Sequence, residues 1–93
     1  MPVTVEYAAQ IKRVAGVAHD IIELAEPCTV AEIARQVAAN HGDQLADILL
    51  DDNQQPRTSI LVFVGENQIH WDDDKTLVQD GQTVTLLSPV SGG

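Results

Sequence analysis

The chain has 93 residues, 44% of them hydrophobic, enough for one compact domain with one core. Fourteen acidic side chains against five basic ones give a formal charge of −9; nucleic acid and anionic membranes both demand a basic footprint, so neither is an expected partner. No apolar run approaches the ~20 residues of a membrane span, Met1-Pro2-Val3-Thr4 has no secretory character, and Cys28 lacks a second cysteine to pair with, so a reducing cytoplasm is the expected compartment.

Residues 2–8 alternate, with Val3, Val5 and Tyr7 on one side and Thr4, Glu6 and Ala8 on the other, the pattern of a half-buried strand. Gln10 to Val14 reads as a turn of helix stopped by Gly16. Val17 to Leu24 then supplies a second strand around Ile21 and Ile22, antiparallel to the first. After Pro27, Thr29-Val30-Ala31-Glu32 matches a capping box, in which the Thr29 hydroxyl accepts from the Glu32 amide and Glu32 reaches back. Val30, Ile33, Ala34, Val37 and Ala38 follow at helical spacing, and Asn40-His41-Gly42 stops that helix. A shorter helix over Asp43 to Leu50 is expected to bury Leu45, Ile48 and Leu49.

Residues 51–56 form an acidic, polar loop, and Ser59 to Val64 a strand rich in β-branched residues. Its alternation turns Ile60, Val62 and Val64 inward and Leu61 and Phe63 outward. Gly65-Glu66-Asn67 is read as a turn, Gln68 to Trp71 as a short strand, Asp80-Gly81 as a turn and Thr83 to Leu87 as the last strand. The order ββαβ(β)β predicts an α+β fold. A mixed sheet of four to five strands carries one main helix on one face, and the last strand lies centrally, parallel to the first. The expected arrangement resembles the β-grasp of ubiquitin. Residues 1–93 are then a single domain, with 88–93 as a flexible C-terminal arm.

Few side chains offer chemistry. Cys28 has no flanking base and is expected to pack inertly. His19, His41 and His70 lack metal-ligand spacing. Asp72-Asp73-Asp74 lacks the glycine and distal glutamate of a calcium loop and reads as solvated. No phosphate-binding loop and no hydrolase motif is present. What remains is the end itself, Pro89-Val90-Ser91-Gly92-Gly93. Two glycines without β-carbons can thread a narrow channel and present the terminal carboxyl unobstructed. That carboxyl is ionised at neutral pH and a poor electrophile. To react with a nucleophile it must first be activated, and with no phosphate-binding loop in the chain an external ATP-dependent enzyme has to do so.

Residues 86–93, Leu86-Leu87-Ser88-Pro89-Val90-Ser91-Gly92-Gly93, with Asp80-Gly81-Gln82-Thr83-Val84 before them, resemble the terminus of the molybdopterin synthase small subunit and its thiamine-type sulfur-carrier relatives. Ala9-Gln10-Ile11-Lys12-Arg13-Val14-Ala15-Gly16 resembles the family's Ala-x-x-Arg/Lys stretch ending in glycine, and Thr29-Val30-Ala31-Glu32 falls where the family starts its main helix. The resemblance implies a sulfur carrier with no catalytic residues and no bound cofactor of its own. A ubiquitin-activating-type adenylyltransferase, using ATP and Mg, would adenylate Gly93, with Gly92 beside it. A sulfurtransferase relay would convert the adenylate to a thiocarboxylate. It further implies a partner such as the large subunit of molybdopterin synthase, docked on Lys12, Ile69 and Leu87 with Pro89, Val90 and Ser91 inserted; Leu61 and Phe63 extend that patch. A carrier for thiamine, transfer RNA or another pathway, a protein modifier joined to lysines through Gly93, and a pure interaction module are the alternatives.

Overall fold

The computed structural model describes residues 1–88. Eight elements follow in order: β1 (Pro2–Ala9), α1 (Gln10–Ala15), β2 (His19–Glu23), α2 (Val30–His41), α3 (Asp43–Leu49), β3 (Leu61–Val64), β4 (Asn67–Ile69) and β5 (Thr83–Ser88). The strands form one sheet in the order β2-β1-β5-β3-β4. β5 lies at the centre, parallel to β1 and antiparallel to β3. The helix-bearing crossover between β2 and β3 is what a parallel pairing of first and last strands requires.

Alternation decides which side of the sheet is filled. Val3, Val5 and Tyr7 of β1, Val62 and Val64 of β3, and Val84 and Leu86 of β5 are buried. They meet the apolar stripe of α2, namely Val30, Ile33, Ala34, Val37 and Ala38. Ile11 of α1 and Leu45 and Leu49 of α3 complete the same single cluster. The expected place of Ile48 is in that cluster too, but Leu45, Leu49 and Leu50 take the inward positions, leaving Ile48 half-buried. In β2 only Ile22 enters the core; Ile21 points the other way and is 66% exposed. The strand is also shorter than Val17 to Leu24, because Gly16 in the left-handed region keeps Val17 and Ala18 in the approach to the hairpin.

The expected capping box is half made. The Thr29 hydroxyl accepts from the Glu32 amide at 3.2 Å, but the Glu32 carboxylate turns forward to Arg35 at 3.6 Å instead of back. One cap bond is worth about 1 kcal/mol, so Thr29→Ala is expected to lower stability by about that much in urea denaturation. Cys28 exchanges backbone hydrogen bonds with Val78, which pins the start of α2 to the segment before β5.

Two strand boundaries differ from expectation. β3 begins at Leu61, because the Ile60 amide donates to the Arg57 carbonyl in a turn, although Ile60 is buried as anticipated. β4 begins at Asn67: Val64 pairs directly with Asn67, so the hairpin loop is the two residues Gly65-Glu66. Gly65 has φ +60°, the requirement at the first central position of a type II′ turn. The strand ends at Ile69, and Trp71 lies outside it, packed against the edge of the core.

Candidate functional site

β5 carries the chain to Ser88, and its last described residues set the site. Because β1 runs parallel beside it, Ala8 lies next to Leu87 and Ala9 next to Ser88. On the other side Leu61 faces Leu87 and Phe63 faces Thr85. Directly paired residues share a face, so Ala8, Leu87, Leu61 and Phe63 form one patch opposite the helices. Leu61, Phe63 and Leu87 are half-buried, and none belongs to the core. Farther along the same face, Glu6 and Thr85 precede Thr4 and Thr83, with exposed Ile21 beside Thr4. The apolar part of the face is thus concentrated where β5 ends.

The structure does not bring all of the sequence-derived residues together. Leu61, Phe63 and Leu87 are contiguous as expected. Ile69 pairs with Val62 and therefore lies on the helix side, packed at the margin of the core. Lys12 projects from α1 and is exposed, at the end of β1 that adjoins Ser88. Pro89, Val90, Ser91, Gly92 and Gly93 lie outside the described residues.

A polar network on the helix side has no counterpart among the sequence-derived candidates. The Tyr7 hydroxyl donates to Asp20 Oδ2 at 2.7 Å, and His41 Nε2, at the end of α2, bonds the same oxygen. The Tyr7 and His41 rings meet edge to face, with centroids 5.7 Å apart. Burial first, then the Asp20 hydrogen bond and charge, pushes the Tyr7 phenol well above its ordinary value, so it stays a proton donor. The hydrogen bond from His41 holds the Asp20 carboxyl below the usual carboxylate range, helped by Tyr7 and opposed by desolvation. The group fastens α2 to the β1–β2 hairpin. A signal did exist: Tyr7 sits in an inward position, where a hydroxyl needs a partner, and Asp20 has the same parity as Ile22.

A folded carboxyl held below its unfolded value contributes stability above the unfolded value, near ~3.9, and loses it as pH falls through the folded one. Asp20→Asn is therefore expected to lower the thermal midpoint at pH 7, with the gap to the parent chain closing below about pH 4. Thermal denaturation across that range checks it.

The remaining candidates are structural. Cys28 is half-buried, and burial, with Glu32 and Glu26 nearby, raises its thiol above the ordinary range. Asp73 Oδ1 accepts from the amides of Lys75 and Thr76 at 2.8 Å each, and Oδ2 from the Thr76 hydroxyl at 3.0 Å. The Asp72-Asp73-Asp74 run is thus a side-chain-capped turn. Among the described residues no cluster of three or more His, Cys, Asp or Glu could hold a metal ion.

A central last strand parallel to the first, a helix-filled face and an open face flanking the exit of β5 define the ubiquitin-like β-grasp class. The crystal structure of SAMP1 from Haloferax volcanii superposes with a TM-score of 0.82 at 19% identity, covering 100% of both chains. Subunit 1 and 2 of molybdopterin-converting factor from Helicobacter pylori form a solved complex, and a chain of it matches with a TM-score of 0.62 at 22% identity over 100% of both chains. In sequence, small archaeal modifier protein 3 of Haloferax volcanii is 28% identical over 94 residues, 100% of each chain. The ThiS family model matches residues 5–93. The chain belongs to the ThiS family, among the ubiquitin-like sulfur carriers and modifiers.

Proposed function

We propose that this chain carries sulfur on its C-terminal carboxyl. The observation that supports the reading most is the delivery of β5 from the centre of the sheet to Ser88, beside the Ala8, Leu61, Phe63 and Leu87 patch. Five residues then follow, a reach of at most about 18 Å when extended. That is long enough for Gly93 to enter a partner's active site while the patch stays docked on its surface.

In the proposed cycle the Gly93 carboxylate attacks the α-phosphorus of ATP in the activating enzyme, giving an acyl-adenylate and pyrophosphate. Hydrosulfide displaces AMP and leaves the thiocarboxylate. A persulfide donor reaches the same product in two steps, through an acyl disulfide that a second thiol cleaves. Gly92 and Gly93 suit both steps because neither carries a Cβ to obstruct the attacking group. The final acceptor we favour is a molybdopterin precursor, delivered on a large subunit. The Helicobacter pylori complex, in which a chain of similar fold belongs to an assembly of subunit 1 with subunit 2, supports that choice.

Modification of other proteins through Gly93 is the second reading, favoured by the full-length match to small archaeal modifier protein 3. Intact-mass spectrometry separates the two after incubation with the activating enzyme, Mg-ATP and a sulfide source. Exchange of one C-terminal oxygen for sulfur is the carrier result. Lysine branches ending in Gly92-Gly93 on other proteins, with the terminus unsulfurated, would overturn it in favour of the modifier.

A further inference from the structure

Of the five basic residues, two are engaged within the fold by side-chain bonds. Arg35 meets Glu32 at 3.6 Å and donates to the Gln54 carbonyl, and Arg57 donates to the Asp47 carbonyl at 2.8 Å; the Lys75 side chain makes no such bond among the described residues but directly follows the acidic run Asp72-Asp73-Asp74. Lys12 and Arg13 are adjacent and exposed on α1, and neither has an ion pair or side-chain hydrogen bond among the described residues. The short helix does not need them as caps, since the Gly16 amide already bonds the Lys12 carbonyl. With fourteen carboxylates in the chain, two neighbouring uncommitted cations are an exception to its electrostatics.

They also border a cavity. Ala9, Lys12, Arg13, Gly16, Val17 and Ala18 line about 510 Å³ of space. Val17 is 42% exposed beside it. One edge of it is the exposed Ala9, held at φ 56° and ψ −130°, a conformation disfavoured for any residue with a Cβ; such outliers concentrate at functional sites. There the chain turns out of β1 next to Ser88, so the cavity adjoins the end of the sheet from which the terminal residues leave.

We propose that this cavity is a docking pocket for an acidic segment of a protein partner. An apolar side chain of the segment is seated against Val17 and Ala18, while flanking carboxylates pair with Lys12 and Arg13. The pairing complements charge at one spot on a surface that elsewhere repels acidic partners, and so supplies orientation as well as attraction. It rests on the carrier reading and deepens it, by giving the chemistry of what the activating or accepting partner presents.

The test needs no sulfur chemistry, so its failure and that of the carrier reading are distinguishable. The ¹⁵N-labelled full chain is titrated with the blocked peptide Asp-Leu-Glu-Asp, its neutral counterpart Asn-Leu-Gln-Asn, and inorganic phosphate. The acidic peptide is expected to shift the amides of Ala9, Lys12, Arg13, Gly16, Val17 and Ala18. The affinity is expected to fall about tenfold or more in Lys12→Glu/Arg13→Glu, with amide dispersion retained. Should that variant fail to fold, Lys12→Gln/Arg13→Gln serves with the same expected direction. Equal shifts with the neutral peptide or with phosphate alone, shifts centred on Leu61, Phe63 and Leu87, or an affinity untouched by either variant would each overturn the proposal.

Discussion

Deleting Gly93 is expected to reduce ATP-dependent thiocarboxylation at least about a hundredfold while leaving the thermal midpoint in place. The first half follows from reach. Removing one residue withdraws the terminal carboxyl by up to ~3.5 Å, whereas misplacing a reacting group by about 1 Å can cost about 10²-fold. The second half follows from the sheet, whose described ladder closes at Ser88 with Ala9 as its partner. Gly93→Ala keeps the length and adds only a Cβ, so it should retain more activity than the deletion. Intact-mass spectrometry and differential scanning calorimetry on the same samples read both quantities. A deletion variant sulfurated as fast as the parent chain would mean that the terminal carboxyl need not stand at the reach that Gly93 gives it.

The side chains that make the open face beside the end of β5 were largely legible in the residue pattern alone. Strict alternation in β1, β3 and β5 determines which residues turn inward, so Leu61, Phe63 and Leu87 fall correctly on the open side. The stripe on α2 is equally clear, because five apolar residues recur at helical spacing and all five are buried. Ile69 marks where periodicity stops being informative. A strand has a period of two, so a register slip of one residue exchanges its faces. Taking Gly65-Glu66-Asn67 as a three-residue loop sets Ile69 opposite Phe63, on the open face. The actual two-residue loop sets it opposite Val62, on the core side.

Contacts between distant elements are less visible still. Tyr7, Asp20 and His41 come from β1, β2 and α2, and no local pattern announces that three such segments will share one carboxylate oxygen. The loop over residues 51–56 has more order than its polarity implies. Asp51 Oδ1 accepts from the amides of Asn53 at 2.8 Å and Gln55 at 3.1 Å, and Pro56 is buried. Composition marks such a segment as a loop; only its hydrogen bonds distinguish a shaped turn from a loose one. The same holds for Ala9, whose positive φ is imposed by the β1–α1 corner and has no counterpart in residue type.

Two adjacent leucines in β5 provide the sharpest test of the face assignment. Leu86 is fully buried, set between Tyr7 of β1 and Val62 of β3, under the helices. Truncating such a side chain loses its transfer energy and leaves a cavity, so Leu86→Ala should cost about 2–5 kcal/mol. Against a total of about 5–15 kcal/mol for a domain, and at about 4–8 °C per kcal/mol for this size, the thermal midpoint should fall by roughly 8–40 °C. Leu87 is half-buried on the open face, where the transfer loss is smaller and no enclosed cavity forms, so Leu87→Ala should cost about 1 kcal/mol or less. Urea denaturation of both variants measures the difference. Equal losses would mean that something covers the open face, in which case Leu61 and Phe63 would also be withdrawn from any partner. A large loss for Leu86 alone leaves Leu87 dispensable to folding and free for recognition, which is the division of labour that the alternation of β5 builds into neighbouring residues.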